Sequence, residues 1–328
     1  MKINWLKVIG LLVCMAWLCG CQNSPEVQVI VSECAAIPNG GRAAACATTL
    51  DGKAYVFAGR DASGRMSNEL WCYDPKTDAW SSLGAAPMRT RVNATIASDG
   101  QHLYAGLGYS ASHAYVDSAY QRDWWEYTPQ TNTWRRLADF PSANSVAGVS
   151  VAADGAIYVL YGFGYGFTRN VCRYDISSDT WTTLPDNPQQ PISHFGGRGA
   201  MCNGRLYYGL GYKISNLTQW HEADLTTNTW IKRRSLPGKG REFAACAASN
   251  RYVYILGGRH FAGEMTGGEI FESYLRYAPD KDSWEWCGTM PCGRSENQIA
   301  FAINGIVYFG LGEDDKGHIL NTLYRIHE

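Results

Sequence analysis

Along the chain, short apolar runs alternate with polar turns rich in Gly, Asn and Asp, and the order of runs recurs. "RAAACATTL", "DGK", "AYVFAG" and "LWCYDPKTDAW" read as strand, turn, strand, then two strands around a tight turn. "RVNATIAS", "DGQ", "LYAGLG" and "WWEYTPQTNTW" repeat that order. Alternation with a period near two, broken by turn residues about every ten positions, predicts antiparallel β-structure without helices.

The repeat has a fixed punctuation. Tryptophans stand at Trp80, Trp134, Trp181, Trp230 and Trp284, each just after an Asp or Asn, with gaps of 54, 47, 49 and 54 residues. Four strands at a period of about 50 residues describe one blade of a β-propeller. Glycine-containing pairs end the second strand of each unit: Ala58-Gly59, Leu107-Gly108, Phe163-Gly164, Leu210-Gly211, Gly257-Gly258 and Leu311-Gly312. Tyr73, Tyr127, Tyr174 and Tyr277 precede the tryptophans, and Ala223-Asp224 replaces the Tyr-Asp pair in the fourth unit.

A double glycine, a later Tyr and a Trp about six positions beyond it resemble the kelch repeat. The resemblance covers essentially all of residues 27–328 and implies an all-β, six-bladed kelch β-propeller of four-stranded antiparallel blades. The sixth unit runs from Arg294 to "TLYRIHE" without a last strand and Trp, while "VQVIVSEC" at Val27 to Cys34 is an orphan strand. The ring is therefore expected to close through the N-terminal strand, leaving no open sheet edge.

Before that strand, Lys2 and Lys7 precede an apolar run from Val8 to Leu18 that ends in Leu18-Cys19-Gly20-Cys21. The run is too short for a permanent membrane span and resembles a bacterial lipoprotein signal. The expected organisation is a signal peptide at 1–20, a lipidated tether at 21–26 starting with Cys21, and the propeller at 27–328. The corresponding location is the cell envelope, with the ring at the outer membrane on its periplasmic or surface side. Without residues 1–20 the chain has 27 basic and 30 acidic residues, a balance of −3 that argues against a nucleic-acid partner. Export permits disulfides, and Cys287 and Cys292 form the one pair close enough in sequence to nominate. The other cysteines sit in apolar runs and read as small buried residues; none has zinc-ligand spacing.

Two sets of loops should meet at one mouth of the ring. Those leading into the innermost strands offer Arg42, Arg91, Asn144-Ser145, His194, Arg241 and Arg294; those after the glycine pairs offer Arg60, Tyr109, Tyr165, Tyr212, Arg259 and Glu313. Guanidinium groups favour carboxylates and phosphates, and tyrosines offer flat faces to sugars or peptides. Glu242, Glu264, Glu296 and Glu313 would partly neutralise the arginines, which in this position also serve to bond backbone carbonyls. The expected partner is an anionic sugar, glycan or peptide, or an envelope protein, bound by a monomeric ring or a subunit of a hetero-complex; no cofactor or metal is expected. Galactose oxidase shares the kelch propeller, but no copper-ligand motif is present here. Resemblance to the N-acetylneuraminate epimerase family is carried by Gly312-Glu313 and implies a sugar mutarotase or epimerase in which Glu313 or His194 moves a proton. A scaffold subunit of an outer-membrane complex is the third reading, using the ring sides or the loops at 110–122 and 260–272.

Overall fold

The computed structural model describes residues 29–38, 40–110, 119–142, 146–164, 166, 169–191, 195–261 and 268–328. The signal segment and Cys21 lie outside the described residues. Six four-stranded antiparallel sheets follow one another around a ring. Blade 1 comprises Cys46–Leu50, Lys53–Phe57, Glu69–Asp74 and Ala79–Ala85, and blade 2 comprises Thr95–Ser98, Leu103–Gly106, Trp124–Thr128 and Thr133–Arg136. Blade 3 is Val149–Ala153, Ala156–Leu160, Val171–Asp175 and Thr180–Thr183; blade 4 is Arg198–Cys202, Arg205–Gly209, Trp220–Asp224 and Thr229–Arg233. Blade 5 is Ala245–Ala248, Val253–Leu256, Ser273–Ala278 and Ser283–Thr289.

Blade 6 joins the two ends of the chain. Ile299–Ile303, Ile306–Gly310 and Leu323–His327 supply three strands, and Ile30–Cys34 pairs antiparallel with the last, from Ile30 opposite His327 to Cys34 opposite Leu323. The orphan strand thus takes the outer edge of the sixth sheet.

Local chemistry explains the hairpins. In blades 1, 3, 4 and 6 the first two strands are joined by Asp51-Gly52, Asp154-Gly155, Asn203-Gly204 and Asn304-Gly305, with both φ angles positive in each pair. That is the turn whose twist matches paired strands, and Asp or Asn followed by Gly adopts it at least cost. The third and fourth strands turn at Asp78, Asn132, Asp179, Asn228 and Asp282, again left-handed.

The hydrophobic core is divided among the blade interfaces. Six clusters each combine two adjacent blades; one joins Phe57 and Leu70 to Ile96 and Tyr127, and another joins Val56 and Tyr73 to Phe301 and Tyr308. A flat twisted sheet must cover both faces, and in a ring each face finds the next blade.

A polar hook fastens the outer rim. In blades 1, 3 and 5, Tyr73, Tyr174 and Tyr277 donate to Asp78, Asp179 and Asp282 at 2.7 Å. Each aspartate accepts a backbone N–H of the preceding blade at 2.8 Å, from Ala35, Ala138 and Arg234. The indoles of Trp80, Trp181 and Trp284 donate back to the carbonyls of those three residues at 2.8, 2.9 and 2.8 Å. Ala35 follows the N-terminal strand, so the seam is fastened by the same hook as an internal blade junction.

The predicted Cys287 and Cys292 bridge is absent: both carry free thiols. Cys287 is buried on the last strand of blade 5 with its sulfur near the Glu285 carbonyl, whereas Cys292 lies beyond the strand beside Ser295 and Gln298. The strand end at Thr289 carries the second sulfur away from the first.

Trp80→Phe and Trp181→Phe each remove one buried indole hydrogen bond and should cost about 1 kcal/mol apiece in equilibrium urea unfolding. Equal losses are expected because the seam is held like an internal junction; a neutral Trp80→Phe would show that the seam is not held this way.

Candidate functional site

At one end of the ring each lead-in loop bridges to the segment after its blade's second strand. The bridged pairs are Ala43 with Arg60, Val92 with Tyr109, Val146 with Phe163, Phe195 with Tyr212, Glu242 with Arg259, and Glu296 with Glu313. Two left-handed residues precede the second member of each pair, such as Leu107 (φ 60°) and Gly108 (φ 86°). The second position requires glycine for space: a Cβ on Gly108 would lie 2.7 Å from the Val92 carbonyl oxygen, and one on Gly312 would lie 2.5 Å from that of Glu296; in blade 5 the first position does too, a Cβ on Gly257 running into the Ser295 carbonyl oxygen. Leu, Ala or Tyr fills the first position in five blades, which is why the double glycine is incomplete in the sequence; in blade 3 the pair is Tyr161-Gly162, two residues before the predicted Phe163-Gly164, so Phe163 rather than Tyr165 takes the bridged position.

The residue after each bridged lead-in position is left-handed as well: Ala44, Asn93, Ala147, Gly196, Phe243 and Asn297, with φ between 51° and 66°. Their backbones are bonded blade to blade. Asn93 N–H donates to Ala44 O, Ala147 to Asn93, Phe243 to Gly196, Asn297 to Phe243 and Ala44 to Asn297, all at 2.9–3.1 Å. These bonds fix six short loops around one axis and hold the mouth open at a set radius.

Three of the arginines expected at the mouth serve the frame instead. Arg91 is fully buried, donates to the Leu107 carbonyl at 2.9 Å and grips both oxygens of Asp123 at 2.7 and 2.9 Å. Burial and the Arg91 guanidinium work against each other on Asp123, and its carboxyl ends below the usual carboxylate range. Arg42 bonds the Gly41 carbonyl and Glu69, and Arg241 bonds Gly257 O at 3.0 Å with its guanidinium 4.1 Å over the Phe271 ring. Each clamps a lead-in loop to the later strands of its own blade. Arg294 is exposed and stands one residue early; fully buried Ser295 occupies the equivalent position, its carbonyl accepting from Gly258 N–H. The predicted arginine-rich mouth is therefore corrected to two arginines from that set, Arg60 and Arg259.

Both are paired with carboxylates. Arg60 of blade 1 bonds Glu313 of blade 6, whose other oxygen accepts from the Asn297 side-chain amide at 2.9 Å. Arg259 reaches Glu242 at 3.2 Å and Glu296 at 3.5 Å, and lies over the rings of Phe243 and Phe261 at 5.6 and 5.8 Å. Glu242 and Glu296 are buried, and the Oε2 atom of Glu296 has no hydrogen-bond partner. Burial pushes the Glu296 carboxyl up to about 7; Arg259 and Arg60 pull it back, and Glu313 and Glu242 push it further. Glu242 is raised too, chiefly by burial.

An aromatic arc runs from blade 2 to the first loops of blade 5. Phe163, Phe195 and Phe243 form a chain with ring centroids 5.4 and 4.9 Å apart, the last contact edge-on. Tyr109 packs edge-on against Tyr120 at 5.8 Å and Tyr212 against Phe261 at 5.1 Å. Tyr165 and His194 lie outside the described residues, as do Asn144, Ser145, Glu264 and most of the two long loops. Phe163, Phe195, Phe243, Asn297 and Arg198 were not nominated from sequence. Only Phe195 lay one step from a nominated residue, His194; Phe243, Asn297 and Arg198 stand two to four positions beyond Arg241, Arg294 and His194, and Phe163 belongs to the second loop set. Among the described residues no group of three or more His, Cys, Asp or Glu side chains converges as a metal-ligand set.

This ring with paired lead-in bridges can be compared with known proteins. Residues 32–211 match the KLHDC2/KLHL20/DRC7 Kelch-repeats domain. The chain belongs to the kelch-repeat family. Relatives of the kelch ring include Kelch-like protein 36 of Mus musculus, 35% identical over 142 residues, which are 41% of this chain and 22% of the relative. Kelch-like protein 35 of the same organism is 24% identical over 77% of this chain and 40% of its own length. N-acetylneuraminate epimerase of Salmonella arizonae is 32% identical over 122 residues, 36% of this chain and 30% of the relative. The matches thus span 22% to 40% of these curated relatives. The solved structure of YjhT superposes with a TM-score of 0.75 at 16% identity, covering 90% of this chain and 99% of that one, a likeness of fold.

Glu296 gives the kelch ring a pH signature. An unfolded glutamate titrates near 4.5, so between there and about 7 the folded ring holds a proton that the unfolded chain has lost. Stability from this group is fully present below about 4.5 and is lost as pH rises, by about 3 kcal/mol in total. Glu296→Gln removes that loss, so its melting temperature relative to the parent should climb between pH 5 and 7.5 and then level off. Parallel melting curves across that range would show that Glu296 titrates normally.

Proposed function

We propose that the kelch ring is a ligand-binding module anchored to the cell envelope through Cys21, taking an anionic glycan or peptide at its mouth. The observation that carries this reading is the division of the mouth into an aromatic arc, from blade 2 to the lead-in loop of blade 5, and a charged arc on blades 5, 6 and 1. A sugar ring or peptide side chain stacked on Phe195 and Phe163 would bring its polar edge to Arg60, Asn297 and Arg259. All three already touch carboxylates, so a ligand is recognised by exchanging hydrogen bonds within a balanced set rather than by raw attraction. Such exchange favours specificity over strength. The kelch-like relatives support a binding role, and the chain's anchoring follows from the Gly20-Cys21 pattern. Phe195→Ala, which opens the centre of the aromatic arc, should weaken binding of the best ligand from an acidic-glycan array by ten-fold or more, measured by calorimetry, with folding intact by circular dichroism. Unchanged affinity would place binding elsewhere on the ring.

A second reading is favoured by the buried Glu296 beside Arg259. A carboxyl poised near neutral pH can both give and accept a proton, as sugar mutarotation or epimerisation requires, and one relative is an N-acetylneuraminate epimerase. Here Glu296 replaces Glu313 as the proton carrier, because Glu313 is held by Arg60 and Asn297. Exchange NMR of N-acetylneuraminate anomers should show catalysis by the parent ring and a loss of 100-fold or more in Glu296→Gln. Interconversion no faster than buffer alone would leave the binding role standing without catalysis.

A further inference from the structure

Below the mouth, the channel narrows to a throat lined by the first residues of the innermost strands. In register these are Cys46, Thr95, Val149, Arg198, Ala245 and Ile299, each opening its strand pair. Five are neutral and small or apolar; the sixth, Arg198, brings a full positive charge. Its Nε donates to the Ala244 carbonyl at 2.7 Å and its Nη1 to the Gly197 carbonyl at 3.0 Å, and the guanidinium lies 5.7 Å from the Phe243 ring centroid. No carboxylate among the described residues forms an ion pair with it. Glu242, the nearest acid to influence it, is engaged by Arg259. Next to Arg198 is a cavity of about 130 Å³ that also borders Thr95, Ser150 and Cys246, with the Thr95 and Ser150 hydroxyls bonded to each other at 2.5 Å.

Arg198 is half-buried in the channel wall, and a guanidinium drawn partly out of water without a counter-charge carries a cost that proteins offset by pairing it. Here the protein supplies two backbone carbonyls and leaves the remaining donors beside a space with hydroxyls on its wall. The volume equals roughly four waters, enough for a planar carboxylate or a tetrahedral oxoanion. We infer that Arg198 anchors a small-anion site in the throat of the channel, for a carboxylate or an inorganic oxoanion, with the Ser150 hydroxyl, which accepts from Thr95, able to donate from the neighbouring blade. Burial lowers the pKa of Arg198 from its ordinary value, a cost that a bound anion would offset. The site is distinct from the mouth: a free anion would fill it whether or not a larger ligand binds above.

The test uses the whole ring labelled with ¹⁵N-arginine, titrated separately with sodium acetate and sodium phosphate at an ionic strength fixed with tetrafluoroborate. The Arg198 Nε–H resonance is assigned by its disappearance in Arg198→Gln. A saturable shift of that resonance is expected with at least one of the two anions; acetate alone identifies a carboxylate site, phosphate alone an oxoanion site. The same anion should raise the melting temperature of the parent, Arg60→Gln and Arg198→Lys, and leave Arg198→Gln unchanged. A linear shift that never saturates, or an equal rise in the melting temperature of Arg198→Gln, would overturn the assignment.

Discussion

The run of five backbone hydrogen bonds that links the six lead-in loops at the mouth, from blade 3 round to blade 4, is the constraint on which the rest depends. It runs through six consecutive left-handed residues, and three of these, Ala44, Ala147 and Phe243, have a Cβ that makes the conformation unfavourable. Each such residue costs on the order of 1 kcal/mol, offset by a blade-to-blade bond that no extended residue in its place could make. Once the loops are held this way, the residue before each left-handed turn bridges to the segment past the glycine pair, and the second residue after it opens the innermost strand. The turn therefore decides which side chains reach the mouth and which reach the throat.

Burial then separates arginines that look alike. Arg91 and Arg241 follow the same spacing as a ligand-facing residue would, yet their lead-in loops run deep enough that the long side chain finds carbonyls and a carboxylate inside the blade. A guanidinium has five donors in a rigid fork, which suits it to tying several loop ends at once. Arg60 and Arg259 come from the second set of loops, nearer the solvent, and meet carboxylates there instead: Arg60 meets Glu313 of blade 6's second loop, and Arg259 meets Glu242 and Glu296 of the lead-in loops of blades 5 and 6. The mouth is consequently close to electrically balanced, and its one distinctive charge state belongs to Glu296, which is buried among two acids and two arginines.

The blades hold together by three different means at three radii. Near the axis the strands are narrow and the bonds are backbone; at mid-radius six apolar interfaces supply most of the favourable burial; at the rim Tyr, Asp and Trp hooks prevent the wedges from splaying. The fourth blade departs from the scheme. Ala223 stands where Tyr is found in blades 1, 2, 3 and 5, and Asn228 compensates by bonding the Pro185 carbonyl and receiving the Trp230 indole.

The sequence by itself determined the strand order, the blade count and the closing role of the N-terminal strand, because those follow from local periodicity, turn residues and the number of repeats. It also located the two loop sets that form the mouth. It could not separate Arg91 from Arg60, or see that Arg294 is displaced from Ser295 by one residue, because a single step of register moves a side chain from the interior to the opening. Nor could spacing alone show that Phe163, Phe195 and Phe243 form one chain of rings, or that Arg198 stands without a carboxylate. Those are relations between blades roughly 50 residues apart, fixed only when ring closure sets the distance of every lead-in loop from the axis.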